Sequence, residues 1–268
     1  MTKNIREEIQ YLLEQCEEHL SGKKRWEKHL SHIVKRTLDG RIRGDACTNW
    51  GAGGYSADLG FWWQIKWSDL SELIQQLIEE EKLSINVLEL AAIVVNFFAT
   101  ALHFKENPTK GGWHPKVYCQ GDNVPAVSWY NRFSNPEPRA RRLTKILAMG
   151  QKYTDLDLDV TWMAGKQNHL ADAVSRGSPA DTLDPLFKQK VPTNTAALSS
   201  LQVPLSTKQI YLKNYQMSKE VKSWLCSALL LNDTTSLPLL NKSNLGHFTR
   251  EQSITLNFAA PNWTWTLH

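Results

Sequence analysis

The segment "SINVLELAAIVVNFFATALHF" (84–104) constrains this chain most, because it is apolar nearly all the way around a helix. A helix without a polar face has to be buried on every side. We therefore predict that it forms the central helix of the core. Since no apolar run in the chain reaches the length that a bilayer requires, we expect no contact with a membrane.

The composition fits an ordinary folded protein with a mild positive charge. Of 268 residues 41% are hydrophobic, which is enough for a buried core, and the net charge of +4 permits a polyanionic partner without requiring one. Cysteines at 16, 47, 119 and 226 form no C-x-x-C pair, so neither a disulfide framework nor a zinc site is indicated. The charged N-terminus does not resemble a signal peptide. We expect an intracellular protein, either nuclear or cytoplasmic.

The chain divides into three predicted parts. Residues 1–39 show helical spacing, which predicts a helical lead-in or connecting segment. Residues 40–177 contain strand-like segments and then strands alternating with helices. Residues 178–268 are rich in Ser, Thr, Asn and Pro, which predicts a linker and an incomplete C-terminal segment with one helix around "MSKEVKSWLCSALLL".

The middle part predicts an α/β fold. The segments "RIRGDAC", "WGAGGYS" and "FWWQIKW" predict a three-strand antiparallel meander. The strands "KVYCQGD" and "LDVTWMAG" are separated by helices, which favours parallel pairing. We therefore predict a mixed five-stranded sheet with helices on both faces. Glycines at 51, 53 and 54 suit a strand pressed against another backbone.

Four acidic residues stand out by their positions in these elements. Asp45 lies in the middle of a predicted strand, where Asp is disfavoured. Glu89 is the only ionisable residue between Ile85 and Leu102, and an unpaired charge buried there would be costly. Asp122 ends a predicted strand, and Asp172 lies in a short helix between two alanines.

Each of these acids also has an ordinary explanation. Asp45 could lie at a sheet edge and point into water. With Asn86 as the N-cap, Glu89 could form a capping box. Asp122 could cap the helix that follows it, and Asp172 could be a surface residue near a helix N-terminus.

The joint pattern is harder to explain in these ways. If the first and fourth predicted strands are neighbours, the four carboxylates can converge. Clustered like charges are tolerated chiefly when divalent cations lie among them, and Mg²⁺ or Mn²⁺ prefers oxygen ligands. The pattern therefore predicts a site for two such ions and phosphodiester hydrolysis.

The motifs "GDACTNWGAGGYS", "INVLELAA", "QGDNVPAVSWYN" and "WMAGKQNHLADAVSR" resemble, in order and spacing, the four acidic motifs of type 1 ribonuclease H. The resemblance is nearest to the ribonuclease H domains of retroelement polyproteins, associated with a reverse transcriptase and of the tyrosine-recombinase kind in fungi or oomycetes. It covers about 40–177, half of the chain. It implies a ribonuclease H-like fold and metal-dependent cleavage of the RNA strand of RNA–DNA hybrids.

The resemblance also implies roles for individual residues. Asp45 would bridge two ions, Asp172 would complete the site of the ion on the nucleophile side, and Glu89 and Asp122 would complete the other. Asn123, next to the third acid, would contact the substrate backbone.

The basic segment "PRARRLTK" (138–145) is a second candidate contact. Considered alone, it favours a solvated helix face. Under the resemblance it would follow the phosphates of the hybrid's other strand, whereas the RNA strand is distinguished by its 2′-hydroxyls. The residues expected to bind nucleic acid in this segment are Arg139, Arg141, Arg142 and Lys145.

Two features depart from the family pattern. Cellular members often have a mobile His well ahead of the fourth acid, whereas the only His between Asp122 and Asp172 is His169. No Tyr-x-Asp-Asp polymerase signature occurs, so polymerase and recombinase neighbours from a polyprotein are expected outside this chain. Two alternatives stay open: a non-catalytic nucleic-acid-binding remnant with this fold, and another enzyme sharing the fold, such as a transposase or a 3′–5′ exonuclease.

Overall fold

The computed structural model describes residues 38–109, 115–132, 135–154, 156–177, 207–231 and 250–259, with a few positions between 9 and 21. The chain forms two compact units, Met1–Arg36 and Thr37–His268. In the first unit, the described positions from 9 to 20 are helical. The second unit contains every element described next.

Seven strands form a single mixed sheet. They are β1 (Gly40–Ala46), β2 (Gly51–Ser56), β3 (Phe61–Lys66), β4 (Lys116–Gly121), β5 (Asp157–Trp162), β6 (Thr207–Tyr215) and β7 (Arg250–Ala259), in the order β5-β4-β1-β2-β3-β6-β7. The first three strands form an antiparallel meander, and β4 and β5 extend the sheet from β1 in parallel. This arrangement of the first five strands confirms the prediction, including the adjacency of the first and fourth strands.

The prediction of only five strands was wrong. Strand β6 pairs in parallel with β3 through Phe61↔Lys213 and Trp62↔Asn214, and β7 pairs antiparallel with β6. Both strands lie in residues 178–268, where the composition predicted a linker. The sequence signal of β6 is weak, because the apolar part of "TKQIYLKNY" is the three residues Ile-Tyr-Leu between polar flanks.

Seven helices accompany the sheet in the described part of the second unit. They are α1 (Trp67–Leu70), α2 (Glu72–Glu79), α3 (Ile85–Glu106), α4 (Val124–Arg132), α5 (Pro138–Tyr153), α6 (His169–Ser175) and α7 (Lys219–Leu230), with a 3-10 turn at Gly165–Gln167. The predicted helix around "MSKEVKSWLCSALLL" corresponds to α7, and its Ser218 side chain caps it by accepting from the backbone N–H of Val221.

The central helix α3 is 22 residues long, and 83% of its most apolar stretch is buried inside the fold. This confirms the predicted core helix. The expectation that no run reaches membrane-spanning length was wrong, because α3 is long and apolar enough by composition alone. The polar residue Ser84 precedes its start, and Asn107 follows its end.

Helix α3 lies directly against one face of the sheet, which the glycines there permit. A Cβ at Gly44 or Gly54 would lie 2.3 or 2.4 Å from the side chain of Asn96. Asn96 is fully buried, accepts a hydrogen bond from Trp63 Nε1 at 2.8 Å and donates to Cys119 Sγ at 3.3 Å. These bonds join α3 to β3 and β4.

The short helix α6 packs on the opposite face. A Cβ at Gly53 would lie 2.4 Å from Cγ1 of Val174, so the absence of a side chain lets α6 approach β2. Gln64 Nε2 on β3 donates to the carbonyl of Val174, and Cys47 Sγ donates to the carbonyl of Ser175. The predicted helices on both faces are therefore present.

Candidate metal centre

The structure brings three of the four predicted acids together at the carboxyl ends of β1 and β4. Asp45 lies near the end of β1, Asp122 directly follows β4, and Glu89 lies in the second turn of α3. One carboxylate oxygen from each lies within 4.8 Å of the others. Because β1 and β4 are parallel neighbours, their carboxyl ends lie at the same edge, where ligand sites of α/β sheets commonly occur.

The ordinary explanations for these three acids are wrong. Asp45 is only 6% exposed, and β1 is flanked by β2 and β4, so this residue does not point into water from a sheet edge. Ser84, not Asn86, precedes α3, and Glu89 accepts instead from the backbone N–H of Ala46.

The third explanation fails because the next residue does the capping. Asn123 caps α4, with its Oδ1 accepting from the backbone N–H of Ala126 at 2.9 Å. The carboxylate of Asp122 is therefore left for the cluster.

Burial and repulsion between like charges raise the pKa values of Asp45 and Glu89. Burial raises the pKa of Asp45 to about 7, against a lowering by the Ser175 hydrogen bond, while the charges of Asp122 and Asp172 raise it further. Burial also raises the pKa of Glu89 to about 9, and the neighbouring charges of Asp45 and Asp122 add to this. A divalent cation would remove that repulsion and favour the charged forms.

Asp172 lies close to the cluster without joining it. Its Oδ1 accepts from Arg176 Nε at 2.8 Å and from Arg176 Nη2 at 2.7 Å, and its side chain is 46% exposed. Its charge raises the pKa of Asp45, so the two carboxylates still interact. The surface-helix explanation fits this position, and the role of Asp172 as a metal ligand stays a prediction.

Sequence reasoning missed two buried residues that hold the acids in place. Ser175 Oγ donates to Asp45 Oδ2 at 2.6 Å, with the carbonyl of Asp172 2.9 Å away as another acceptor. Asn168 Nδ2 donates to the carbonyl of Gly44 at 3.0 Å and lies 3.5 Å from Oδ1 of Asp122. Both belong to the quoted motif "WMAGKQNHLADAVSR", but small polar residues are too common for type alone to have identified them.

The other residues expected near the site have partners within the protein. Asn123 Nδ2 donates to Asn86 Oδ1 at 3.0 Å, so the end of β4 is tied to the first turn of α3. Its contact with a substrate backbone stays a prediction. His169 is the first residue of α6, with Nδ1 3.4 Å from the carbonyl of Lys166.

Much of the basic segment binds backbone carbonyls. Arg139 Nε donates to the carbonyl of Leu229 at 2.7 Å, and Arg142 Nη1 donates to that of Ser227 at 3.2 Å. Both carbonyls lie in the last turn of α7, where the helix dipole favours positive charge.

The two remaining basic residues of the segment differ in their surroundings. Arg141 Nη1 donates to the carbonyls of Asn135 and Pro136, while Lys145 is exposed on α5. Binding of nucleic acid by this segment stays a prediction.

The three clustered acids fit a hard divalent cation. All their donor atoms are carboxylate oxygens, two of the three residues are buried, and the cluster lies at the carboxyl ends of the parallel strands β1 and β4. No protein-family model, curated protein or solved structure matches this chain.

Proposed function

We propose that this protein is a divalent-metal-dependent nuclease that hydrolyses the RNA strand of RNA–DNA hybrids and has a ribonuclease H-like fold. The observation that carries the proposal is the convergence of Asp45, Glu89 and Asp122. They come from the first strand, the core helix and the fourth strand, which is the order of the first three acidic motifs in the resemblance. The meander followed by parallel strands supports the proposed fold.

The chain's own residues would hold the ions and keep the carboxylates aligned. Asp45, Glu89 and Asp122 supply oxygen ligands, and Asp172 would join them when released from Arg176. A bound divalent cation would lower the pKa of an attacking water and stabilise the leaving oxygen. Ser175 orients Asp45 and Asn168 orients Asp122, which reduces the reorganisation needed when substrate binds.

One observation favours the alternative of a non-catalytic nucleic-acid-binding remnant. Asp172, the expected fourth ligand, is occupied by two hydrogen bonds from Arg176. A protein that had lost catalysis would keep the sheet and the three clustered acids only for stability. Buried carboxylates with raised pKa values are a poor means of stabilising a fold, so the nuclease is the better supported proposal.

Cleavage of an end-labelled RNA–DNA hybrid tests the proposal. The wild type should shorten only the RNA strand, with Mg²⁺ or Mn²⁺ and not with EDTA, and Asp122→Asn should abolish this activity. Asp58→Asn is the matched control, because Asp58 pairs with Arg41 at 3.0 Å in the turn between β2 and β3. Binding without cleavage would favour the remnant, and cleavage of duplex DNA would favour another nuclease.

A further inference from the structure

Trp162 lies beside the acid cluster with much of its side chain in solvent. It is the last residue of β5 and pairs in register with Gly121, the residue before Asp122. It is 55% exposed, whereas large aromatic residues of β3 such as Trp62 and Trp63 are almost fully buried. An exposed tryptophan at the carboxyl edge of the sheet therefore needs a reason.

The indole of Trp162 is held in place by a hydrogen bond to the backbone of the site. Its Nε1 donates to the carbonyl of Asp122 at 3.0 Å. The polar atom of the ring is thus satisfied by the protein, and the surface left exposed is apolar. An aromatic ring with a fixed orientation loses little conformational entropy on binding a flat partner.

Two further exposed apolar residues begin the helices that flank the cluster. Val124 starts α4 directly after Asn123 and is 60% exposed, and Ile85 starts α3 and is 38% exposed. The two helix starts are joined by the hydrogen bond between Asn123 and Asn86. We call Ile85, Val124 and Trp162 the apolar rim.

The apolar rim is concentrated at the site. In the described part of the second unit, the large hydrophobic residues with high exposure are Leu38, Leu73, Ile85, Val124 and Trp162. Three of these five lie next to the acids: Ile85 begins α3, which carries Glu89, Val124 begins α4 two residues after Asp122, and Trp162 ends β5, which pairs with β4. Isolated exposed apolar residues are ordinary, but a group beside buried acids indicates a binding surface.

We propose that Trp162 is the stacking platform for a nucleobase of the substrate strand next to the phosphate that is cleaved. This inference rests on the proposed function, because a phosphodiester held at Asp45, Glu89 and Asp122 brings its own nucleosides to the surrounding surface. Every base has an apolar π face, so the platform accepts any sequence. Val124 and Ile85 provide apolar contact for the neighbouring base or sugar.

Substitutions at Trp162 separate stacking from a structural role of the ring. Trp162→Ala removes the platform, and Trp162→Phe keeps an aromatic face while losing the bond to Asp122. Leu73→Ala is the matched control, since Leu73 is 50% exposed on α2, away from the elements of the site. Thermal unfolding of each variant shows whether the fold is retained.

The measurements are the Kd for a fluorescent RNA–DNA hybrid in Ca²⁺, from anisotropy, and KM and kcat in Mg²⁺. Loss of stacking should raise Kd and KM about tenfold in Trp162→Ala. Trp162→Phe should stay within about twofold of the wild type, because stacking does not need the indole N–H. In both variants kcat should change much less than KM, and Leu73→Ala should match the wild type throughout.

The possible results separate this inference from the proposed function. If the wild type cleaves and Trp162→Ala has unchanged Kd and KM, stacking is overturned and the nuclease stands. If kcat falls in both variants with Kd unchanged, the ring positions Asp122 and stacking is likewise overturned. If the wild type binds without cleaving, the nuclease fails and the Kd values alone decide on stacking. If it does not bind the hybrid, both proposals are overturned.

Discussion

The hydroxyl of Ser175 donates a hydrogen bond of 2.6 Å to Oδ2 of Asp45, across 130 positions of the sequence. Both residues are buried, so water does not compete for this bond. It connects the last residue of α6 to the first strand of the sheet. The docking of α6 therefore sets the orientation of the first acid, although the helix itself contributes no carboxylate to the triad.

Ser175→Ala should weaken metal binding. The hydrogen bond lowers the pKa of Asp45, so its loss raises that pKa further and protons compete better with Mg²⁺ near neutral pH. We expect the affinity for Mg²⁺ to fall severalfold and the free energy of unfolding to fall by about 1.5–3 kcal/mol, as for hydrogen bonds to charged groups. Calorimetric titration and urea unfolding measure the two quantities.

Ser56→Ala is the control for this prediction. Ser56 is also buried and donates to the carbonyl of Arg41 at 2.7 Å, in the half of the meander that lies away from the cluster. It should lose stability and keep its Mg²⁺ affinity. Equal Mg²⁺ affinities in the two variants would contradict the role given to Ser175.

Without metal, the protein should become less stable as the pH rises from about 5 to about 9. The pKa values of Asp45 and Glu89 are about 7 and about 9 in the folded protein, against ordinary values of 3.8 and 4.5. Between the ordinary and the raised values the folded state binds more protons than the unfolded state, so stability falls with increasing pH. Urea unfolding in EDTA at a series of pH values measures this slope.

Glu89→Gln should make the slope shallower, because the amide has no proton to lose. The variant should be more stable than the wild type at pH 9 in EDTA and gain less from added Mg²⁺. Mg²⁺ should stabilise the wild type more strongly at pH 9 than at pH 6. A wild type whose stability in EDTA rises between pH 5 and pH 9 would contradict the burial of these carboxylates.

Gly53→Ala should displace α6. The added Cβ would lie 2.4 Å from Cγ1 of Val174 and 2.9 Å from the backbone nitrogen of Ser175, so the helix has to shift. We expect a loss of about 1–3 kcal/mol in the free energy of unfolding, as for overpacked cores. Mg²⁺ affinity should fall with it, since Ser175 moves away from Asp45.

Gly121→Ala provides the comparison. Its Cβ would meet nothing within 4 Å, although it directly precedes Asp122. It should therefore change stability and Mg²⁺ affinity little. If Gly121→Ala proved the more harmful variant in Mg²⁺ titrations, the docking of α6 would not control the site.

Arg139→Ala should loosen α7 from α5. The guanidinium donates to the carbonyl of Leu229 and is only 18% exposed, so its loss leaves a helix end without that partner. We expect about 1–2 kcal/mol of destabilisation and faster amide hydrogen exchange in α7. Arg132→Ala, at the exposed end of α4, should change neither. Weaker hybrid binding with unchanged exchange would instead support the predicted contact with phosphates.

The three clustered acids could be predicted because charge is costly in the positions that Asp45 and Glu89 occupy. The cost is visible in the sequence, where each interrupts an apolar or β-prone segment. Ser175 and Asn168 could not be predicted, since a serine or asparagine near a helix end is ordinary until the fold shows what it contacts. The pairing of Asp172 with Arg176 follows i,i+4 spacing and was open to prediction.

The first five strands along the chain were predictable from length, alternation and the helices between them. Strand β6 was not, because hydrogen bonding to the edge of β3 stabilises a segment whose own pattern is weak. The hydrogen-bond partners of Arg139 and Arg142 could not be predicted from the sequence for a related reason. Their charge was visible in the sequence, but the position of the end of α7 was not.

The bonds of Asn96 to Trp63 and Cys119 have a consequence for how this core can evolve. Asn96 follows Glu89 by seven residues, about two helical turns, so both lie on nearly the same side of α3. An apolar residue of similar size could pack there and even stabilise the core. Such a residue would no longer prevent α3 from rotating or sliding against the sheet. The orientation of the Glu89 carboxylate depends on both of these movements being prevented. Selection for activity would therefore retain a polar residue that selection for stability alone would discard.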